Sequence, residues 1–250
     1  MNRTDIDWAD FTWNPVTGCY HGCKYCYARR IAHRFRNQDD ESKKMKKWLK
    51  KNYENGGDIV HLENKSKDPY PVEFVPTFHK RRLDQPANRK KPSKIFVGSM
   101  GDLFGDWVPN EWIEQVFEAC REAPQHTYYF LTKNPKRYYN YFAYNMERAP
   151  SNWWIGASAS VKTNAHTYSD LMGFMNANVF MSFEPLHEDI ASFVDWENLH
   201  WVIVGAQTGP NAKQPKREWI GNLLKASEKY AVPIFLKDNL DWPRKVQMWP

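Results

Sequence analysis

From residue 95 onward, short and almost wholly apolar runs alternate with longer stretches of mixed polarity. The runs are Ile95-Phe-Val-Gly-Ser99, Thr127-Tyr-Tyr-Phe-Leu131, Trp153-Trp-Ile-Gly-Ala157, Val179-Phe-Met-Ser-Phe183, Trp201-Val-Ile-Val-Gly205 and Pro233-Ile-Phe-Leu-Lys237. Each is rich in β-branched and aromatic residues. A run apolar at every position, rather than at alternate ones, predicts a strand covered on both faces, as in a parallel sheet. Their starts recur every 22 to 32 residues, room for one strand, one helix and two loops. Between the first two runs, Trp112, Ile113, Val116, Phe117 and Cys120 recur at helical spacing, which puts Cys120 on a buried helix face.

Two weaker strands are expected upstream, Phe11–Thr17 and Val72–Phe78, although Pro15 and Pro76 fit poorly inside a central strand. Six strands make a partial (β/α) barrel and eight a complete one of the TIM type, which commonly has about 250 residues. The stretch from about 37 to 70 is charged and broken by Asn55-Gly-Gly57, and reads as a basic insertion after the first helix. Residues 1–250 are therefore expected to form one domain.

In parallel barrels functional groups collect where strands end and the following loops begin. Polar residues stand at those places: Ser99 and Asp102 after the first run, Lys133 after the second, Ser158 after the third, Glu184 after the fourth, Gln207 after the fifth and Lys237 at the end of the last. Ser158 and Asp102 would also serve as helix caps. Glu184 and Lys237 are poor caps, and a barrel mouth desolvates charge, so they are the stronger functional candidates.

The densest chemistry lies between the first strand and first helix, in Cys19-Tyr-His-Gly-Cys23-Lys-Tyr-Cys26. Three thiols in eight residues can converge on one inorganic group. Electron-carrying [4Fe–4S] proteins commonly ligate all four irons with cysteine, so three cysteines leave one iron open to bind something else. A zinc knuckle completed by His21 or Cys120 is the alternative, although zinc sites usually pair one CxxC with a second ligand pair farther on. Four cysteines in 250 residues do not make a disulfide framework.

The formal net charge is +6, and Lys43-Lys-Met-Lys-Lys-Trp-Leu-Lys-Lys51 holds much of the excess. Such a run suits either a nucleic-acid surface or a solvated helix face. The chain opens without an apolar signal segment and has no run long enough to span a membrane, so a cytoplasmic protein is expected.

The Cx3Cx2C spacing with Tyr25 before the last cysteine resembles the radical S-adenosylmethionine (SAM) superfamily. More closely, the chain resembles the phage Gp37/Gp68 family, also called the three-Cys-motif or DUF5131 family. The resemblance rests on Trp13-Asn-Pro-Val-Thr-Gly-Cys19, Cys26-Tyr-Ala28, Arg82-Leu-Asp-Gln-Pro86, Ser99-Met-Gly-Asp-Leu-Phe104, Leu131-Thr-Lys133, Glu184-Pro-Leu186, and Trp201-Val-Ile-Val-Gly205 with Gly209-Pro210. The chain departs from the family's usual Gly-Gly-Glu-Ser-Gly after the fifth run, having Gly205-Ala-Gln-Thr-Gly209.

The resemblance implies an enzyme in which Cys19, Cys23 and Cys26 ligate a [4Fe–4S] cluster and the open iron takes SAM. It implies that Tyr25 flanks the adenine, with Ser99, Asp102, Lys133, Ser158 and Glu184 around the rest of SAM. Trp13 and Asn14 form the rim, and Gln207 and Lys237 face the substrate. An electron donor such as flavodoxin or ferredoxin is implied as partner. The basic insertion favours DNA, RNA or a nucleotide as substrate, with spore photoproduct lyase as the nearest activity. A small metabolite or peptide substrate, and a non-catalytic binding protein stabilised by zinc or a cluster, are the other two readings.

Overall fold

A computed structural model describes residues 1–35, 43, 44, 47, 62, 63, 70, 71, 73–145, 149–173 and 176–250. Most of the 37–70 insertion, including most of the lysine-rich run, lies outside the described residues. The protein is mixed α/β, with an eight-stranded, mostly parallel sheet and a separate three-stranded one. It divides into two compact units, Met1–Tyr128 and Tyr129–Pro250.

The first unit holds β1 (Asn2–Arg3), β2 (Phe11–Trp13), β3 (Val16–Thr17), α1 (Tyr27–Arg34), β4 (Leu62–Glu63), β5 (Thr77–Phe78), β6 (Lys94–Val97) and α2 (Asn110–Arg121). Strand β2 lies between antiparallel β1 and parallel β6. The expected strand over 11–17 is cut at Pro15, which has no N–H to give to a ladder. Its second half, β3, turns away to pair antiparallel with β5. Of the expected strand over 72–78, only Thr77 and Phe78 pair, and they do so in the small sheet with β3 and β4. Pro76 removes the donor just before them. Helix α2 buries Trp112, Ile113, Val116, Phe117, Ala119 and Cys120, the face expected from their spacing. The Trp112 ring stacks on Phe78 at 5.0 Å. Cys120 is a core residue, its thiol held well above the ordinary range by burial.

Directly after β5, His79 is fully buried and bonds through Nε2 to Thr17 Oγ1 at 2.8 Å. Burial, reinforced by the positive charges of Arg82 and Arg81, pushes its pKa down to about 3. Above the unfolded value of 6.5 the ring is neutral in both states and contributes no pH dependence. As pH falls below 6.5 the unfolded chain takes the proton first. Stability should drop by about 1.4 kcal/mol per pH unit until the folded pKa is reached. Urea unfolding of wild type and His79→Gln across pH 4–7 checks this: the variant's stability should fall less steeply by about one proton.

Strand β7 (Thr127–Thr132) carries the chain into the second unit, which holds α3 (Pro135–Asn145), β8 (Trp153–Ser158), α4 (Lys162–Gly173), β9 (Asn178–Phe183), β10 (Trp201–Val204), α5 (Arg217–Tyr230) and β11 (Ile234–Leu236). Strands β8, β9, β10 and β11 are successive parallel neighbours. All six apolar runs are strands, and from β6 to β11 nearly every strand residue is buried. Between β9 and β10 the expected helix is replaced by one 3₁₀ turn, Ala191–Phe193.

Strand side chains alternate between faces. On one face of the second unit's strands, Tyr129, Trp154, Phe180 and Trp201 form a cluster with ring centroids 5.8 to 6.2 Å apart. Gly156 belongs to that face, and a Cβ there would sit 2.3 Å from the Phe180 ring, so the glycine makes room for the aromatic packing. Continuing by twos along each strand leads from these rings to Lys133, Ser158, Glu184 and Gly205. The aromatic floor therefore underlies the polar strand ends.

Candidate functional site

Sequence-selected residues gather into one cluster in each unit.

In the first unit the cysteine loop hangs between β3 and α1. Trp13 ends β2 fully buried and donates its indole N–H to the Arg82 carbonyl at 2.7 Å. Arg82 returns a bond from Nη1 to the Asn14 carbonyl at 2.7 Å. Burial beside Arg81 lowers the Arg82 pKa to about 10, a cost offset by this fixed partner. Asn14 Oδ1 accepts from the Met100 amide at 2.8 Å, and its side chain also pairs with the Ser99 hydroxyl. The loops after β2 and β6 are thereby tied together. Gly18 follows with φ +88° and donates its N–H to the Met100 carbonyl at 2.9 Å.

Cys19 donates its amide to the Phe74 carbonyl, and its sulfur accepts the His21 amide at 3.4 Å. Cys26 caps α1, its Sγ accepting the Arg29 amide at 3.3 Å. A thiolate there faces the positive end of the helix dipole. Beneath the loop, Ala28 and Ala32 of α1 pack with Tyr70 and Phe74, and Cys19, Cys26 and Met100 border that patch. Tyr25 is half-buried, while Tyr27 projects outward and donates to the Ser99 carbonyl at 2.7 Å.

Asp102, 5 % exposed, is engaged within the protein. Its Oδ2 pairs with His21 Nε2 at 2.8 Å and its Oδ1 accepts the Phe104 amide at 3.0 Å. No spacing in the sequence links the two residues, which lie 81 positions apart.

The three thiols fit the demands of an iron–sulfur cluster in their chemistry. All are half-buried, and Cys19 lies close enough to Cys23 and Cys26 for their charges to raise its pKa. Burial raises it most, with Asp102 next. A thiolate at Cys19 thus needs a metal's positive charge beside it, as metal binding that displaces protons requires. Among the described residues no group of three or more His, Cys, Asp or Glu side chains is gathered closely enough to hold a metal ion. His21 has its Nε2 committed to Asp102.

In the second unit, Lys133 Nζ donates to Ser158 Oγ at 2.8 Å, and the Ser158 hydroxyl lies 3.5 Å from the Glu184 carbonyl. Lys237 Nζ forms an ion pair with Glu184 Oε1. The pair spans the row in which Glu184, Gly205 and Lys237 follow the registered ends of β9, β10 and β11. Gly205 makes that reach possible, since a Cβ there would lie 2.9 Å from Glu184 Cδ and 3.0 Å from Lys237 Cδ. Two residues before Glu184, the Ser182 hydroxyl is buried on the same face and has no hydrogen-bond partner among the described residues. Gln207 is half-buried on the loop after β10, where Asn239 brackets Ala206 with bonds to both its N–H and its carbonyl. Two lysines against one glutamate leave this cluster with an excess positive charge, suited to an anionic group.

The fold is one known from spore photoproduct lyase. A double mutant of spore photoproduct lyase with bound AdoMet and dinucleoside spore photoproduct aligns at TM-score 0.54 and 9% identity, covering 94% of this chain and 78% of that one. The lyase complexed with dinucleoside spore photoproduct aligns at TM-score 0.55 and 9% identity over the same shares. A single mutant with the same dinucleoside aligns at 0.53 and 10%. The protein is thus an α/β protein with the fold of spore photoproduct lyase. It belongs to the DUF5131 family, "Protein of unknown function (DUF5131)", whose model matches residues 3–248. No curated protein matches the chain. Among the described residues no helix is long and apolar enough to cross a membrane.

Proposed function

We propose that this protein is a radical SAM enzyme acting on a nucleic acid or nucleotide. The observation that carries the reading is the three-cysteine loop between β3 and α1 of a fold shared with a lyase that has been seen with AdoMet bound. When bound, a [4Fe–4S] cluster and SAM supply one-electron cleavage of a sulfonium to a 5′-deoxyadenosyl radical that abstracts hydrogen.

Cys19, Cys23 and Cys26 are the ligands in this proposal, and the Cys26 cap on α1 fixes the last of them at the start of the helix. The Asn14, Ser99 and Met100 bonds hold the loop's base still. Tyr25 flanks the adenine. Lys133 neutralises a carboxylate, Ser158 and Glu184 offer hydrogen-bonding oxygens, and Glu184 keeps Lys237 oriented toward substrate beside Gln207. Ser99 and Asp102 act through the residues they bind as well as through any contact with SAM. A reductant of the flavodoxin or ferredoxin type supplies the electron, in a cytoplasmic setting. The spore photoproduct lyase complexes hold a dinucleoside, which favours a nucleotide-bearing substrate over a peptide.

The test is anaerobic reconstitution with iron and sulfide, reduction, and measurement of 5′-deoxyadenosine with DNA, RNA and nucleotides added separately. Release stimulated by one nucleic-acid class supports the reading. Zinc in place of iron in protein purified without air, or no 5′-deoxyadenosine under any condition, overturns it.

A further inference from the structure

We propose that His21 and Asp102 form a positioning clamp that holds the Cys19–Cys23 segment in the conformation that receives the cluster. The inference rests on the reading above and assigns a function to two residues that need not touch the cluster.

Asp102 is itself held rigidly. One carboxylate oxygen takes the Phe104 amide at 3.0 Å, and its carbonyl takes the Gly105 amide, so it sits in a tight turn after β6. Its other oxygen fixes His21 Nε2 at 2.8 Å. Trp107 walls the imidazole from the side, with ring centroids 4.8 Å apart at 77°. Trp107 can lie there because Gly105 lacks a side chain: a Cβ would come within 2.2 Å of the indole ring. With the ring held, the His21 backbone N–H is aimed at Cys19 Sγ. Gly22 follows at φ +70°, a conformation open mainly to glycine, and turns the chain toward Cys23.

The placement of Asp102 supports this role. From the turn after β6 it reaches His21, 81 positions away in sequence, through a charge-assisted hydrogen bond, among the stronger non-covalent ties available to a short loop.

The test uses full-length wild type, His21→Ala, His21→Gln, Asp102→Ala and the His21→Ala/Asp102→Ala double variant. In cluster-free protein, amide exchange over 19–23 should be about tenfold faster or more in the alanine variants, the loss expected for a hydrogen bond to a charged group. Exchange in α2 should not change. Glutamine retains an N–H donor and should restore most of the protection. After reconstitution, iron should be lost to a chelator faster in the alanine variants in the same order. The double variant should be no worse than either single one, since the pair acts as one unit. Wild-type exchange and iron retention in His21→Ala, or strictly additive effects, would overturn the clamp while leaving the cluster intact. Failure of wild type to take up iron would overturn the cluster reading, and the exchange measurement would still decide the clamp.

Discussion

Alanine at Cys19, Cys23 or Cys26 should remove nearly all reconstituted iron and lower SAM cleavage at least a hundredfold. That exceeds the 10- to 100-fold losses typical of residues behind a metal's ligands. A cubane with only two protein thiolates has two irons without a protein ligand, and the loop has no fourth donor to recruit. His21 is already bound to Asp102. Cys120 lies fully buried on α2, with its thiol held protonated by its surroundings. Cys120→Ala should therefore keep its iron and lose only stability, by about 1 kcal/mol as an ordinary core change. Iron and sulfide analysis on all four variants makes the comparison. Retention of iron by any of the three loop variants, or its loss from Cys120→Ala, would show that the ligands have been misassigned.

The second large effect is expected at Gly18. With φ at +88°, an alanine here would suffer left-handed strain of roughly 1–2 kcal/mol. Its Cβ would also lie 2.2 Å from the Val75 carbonyl oxygen and 2.7 Å from Pro76 N. Both contacts are backbone, so neither can move aside without opening the pairing of β3 with β5. Overpacking adds about 1–3 kcal/mol. Gly18→Ala should thus cost about 3 kcal/mol or more and lower Tm by about 6–12 °C in a chain of this size. It should also impair cluster uptake, because Gly18 precedes Cys19 and holds the Met100 carbonyl. Gly98 gives the control, with φ +82° and nothing within 4 Å of its Cβ position. Gly98→Ala should show only the strain. Equal melting temperatures for the two variants would mean that the loop base is looser than its contacts imply.

Both predictions concern a loop whose chemistry could be read without coordinates. Three cysteines in eight residues identify themselves, and so do six apolar runs dense enough in β-branched and aromatic side chains that few alternatives to buried strands exist. The upstream strands were harder to read. At Pro15 and Pro76 the propensity of the neighbouring residues is outweighed by a missing N–H, and the chain leaves the large sheet for a small one. Glu184 and Lys237 were marked from their position at strand ends, but not as partners. Their pairing depends on an empty Cβ position at Gly205, which is visible only once β9, β10 and β11 are in register.

The sequence by itself determined the six apolar strands from residue 95 onward, the buried face of α2 and the three-thiol loop, because each follows from local periodicity or close spacing. Tertiary structure alone decided how that loop is held. The bonds of Asn14 to Ser99, Arg82 to Asn14 and His21 to Asp102 each join residues more than 60 positions apart. Such contacts arise only when loops after neighbouring strands are brought side by side, and no local pattern in the chain encodes which pair will meet.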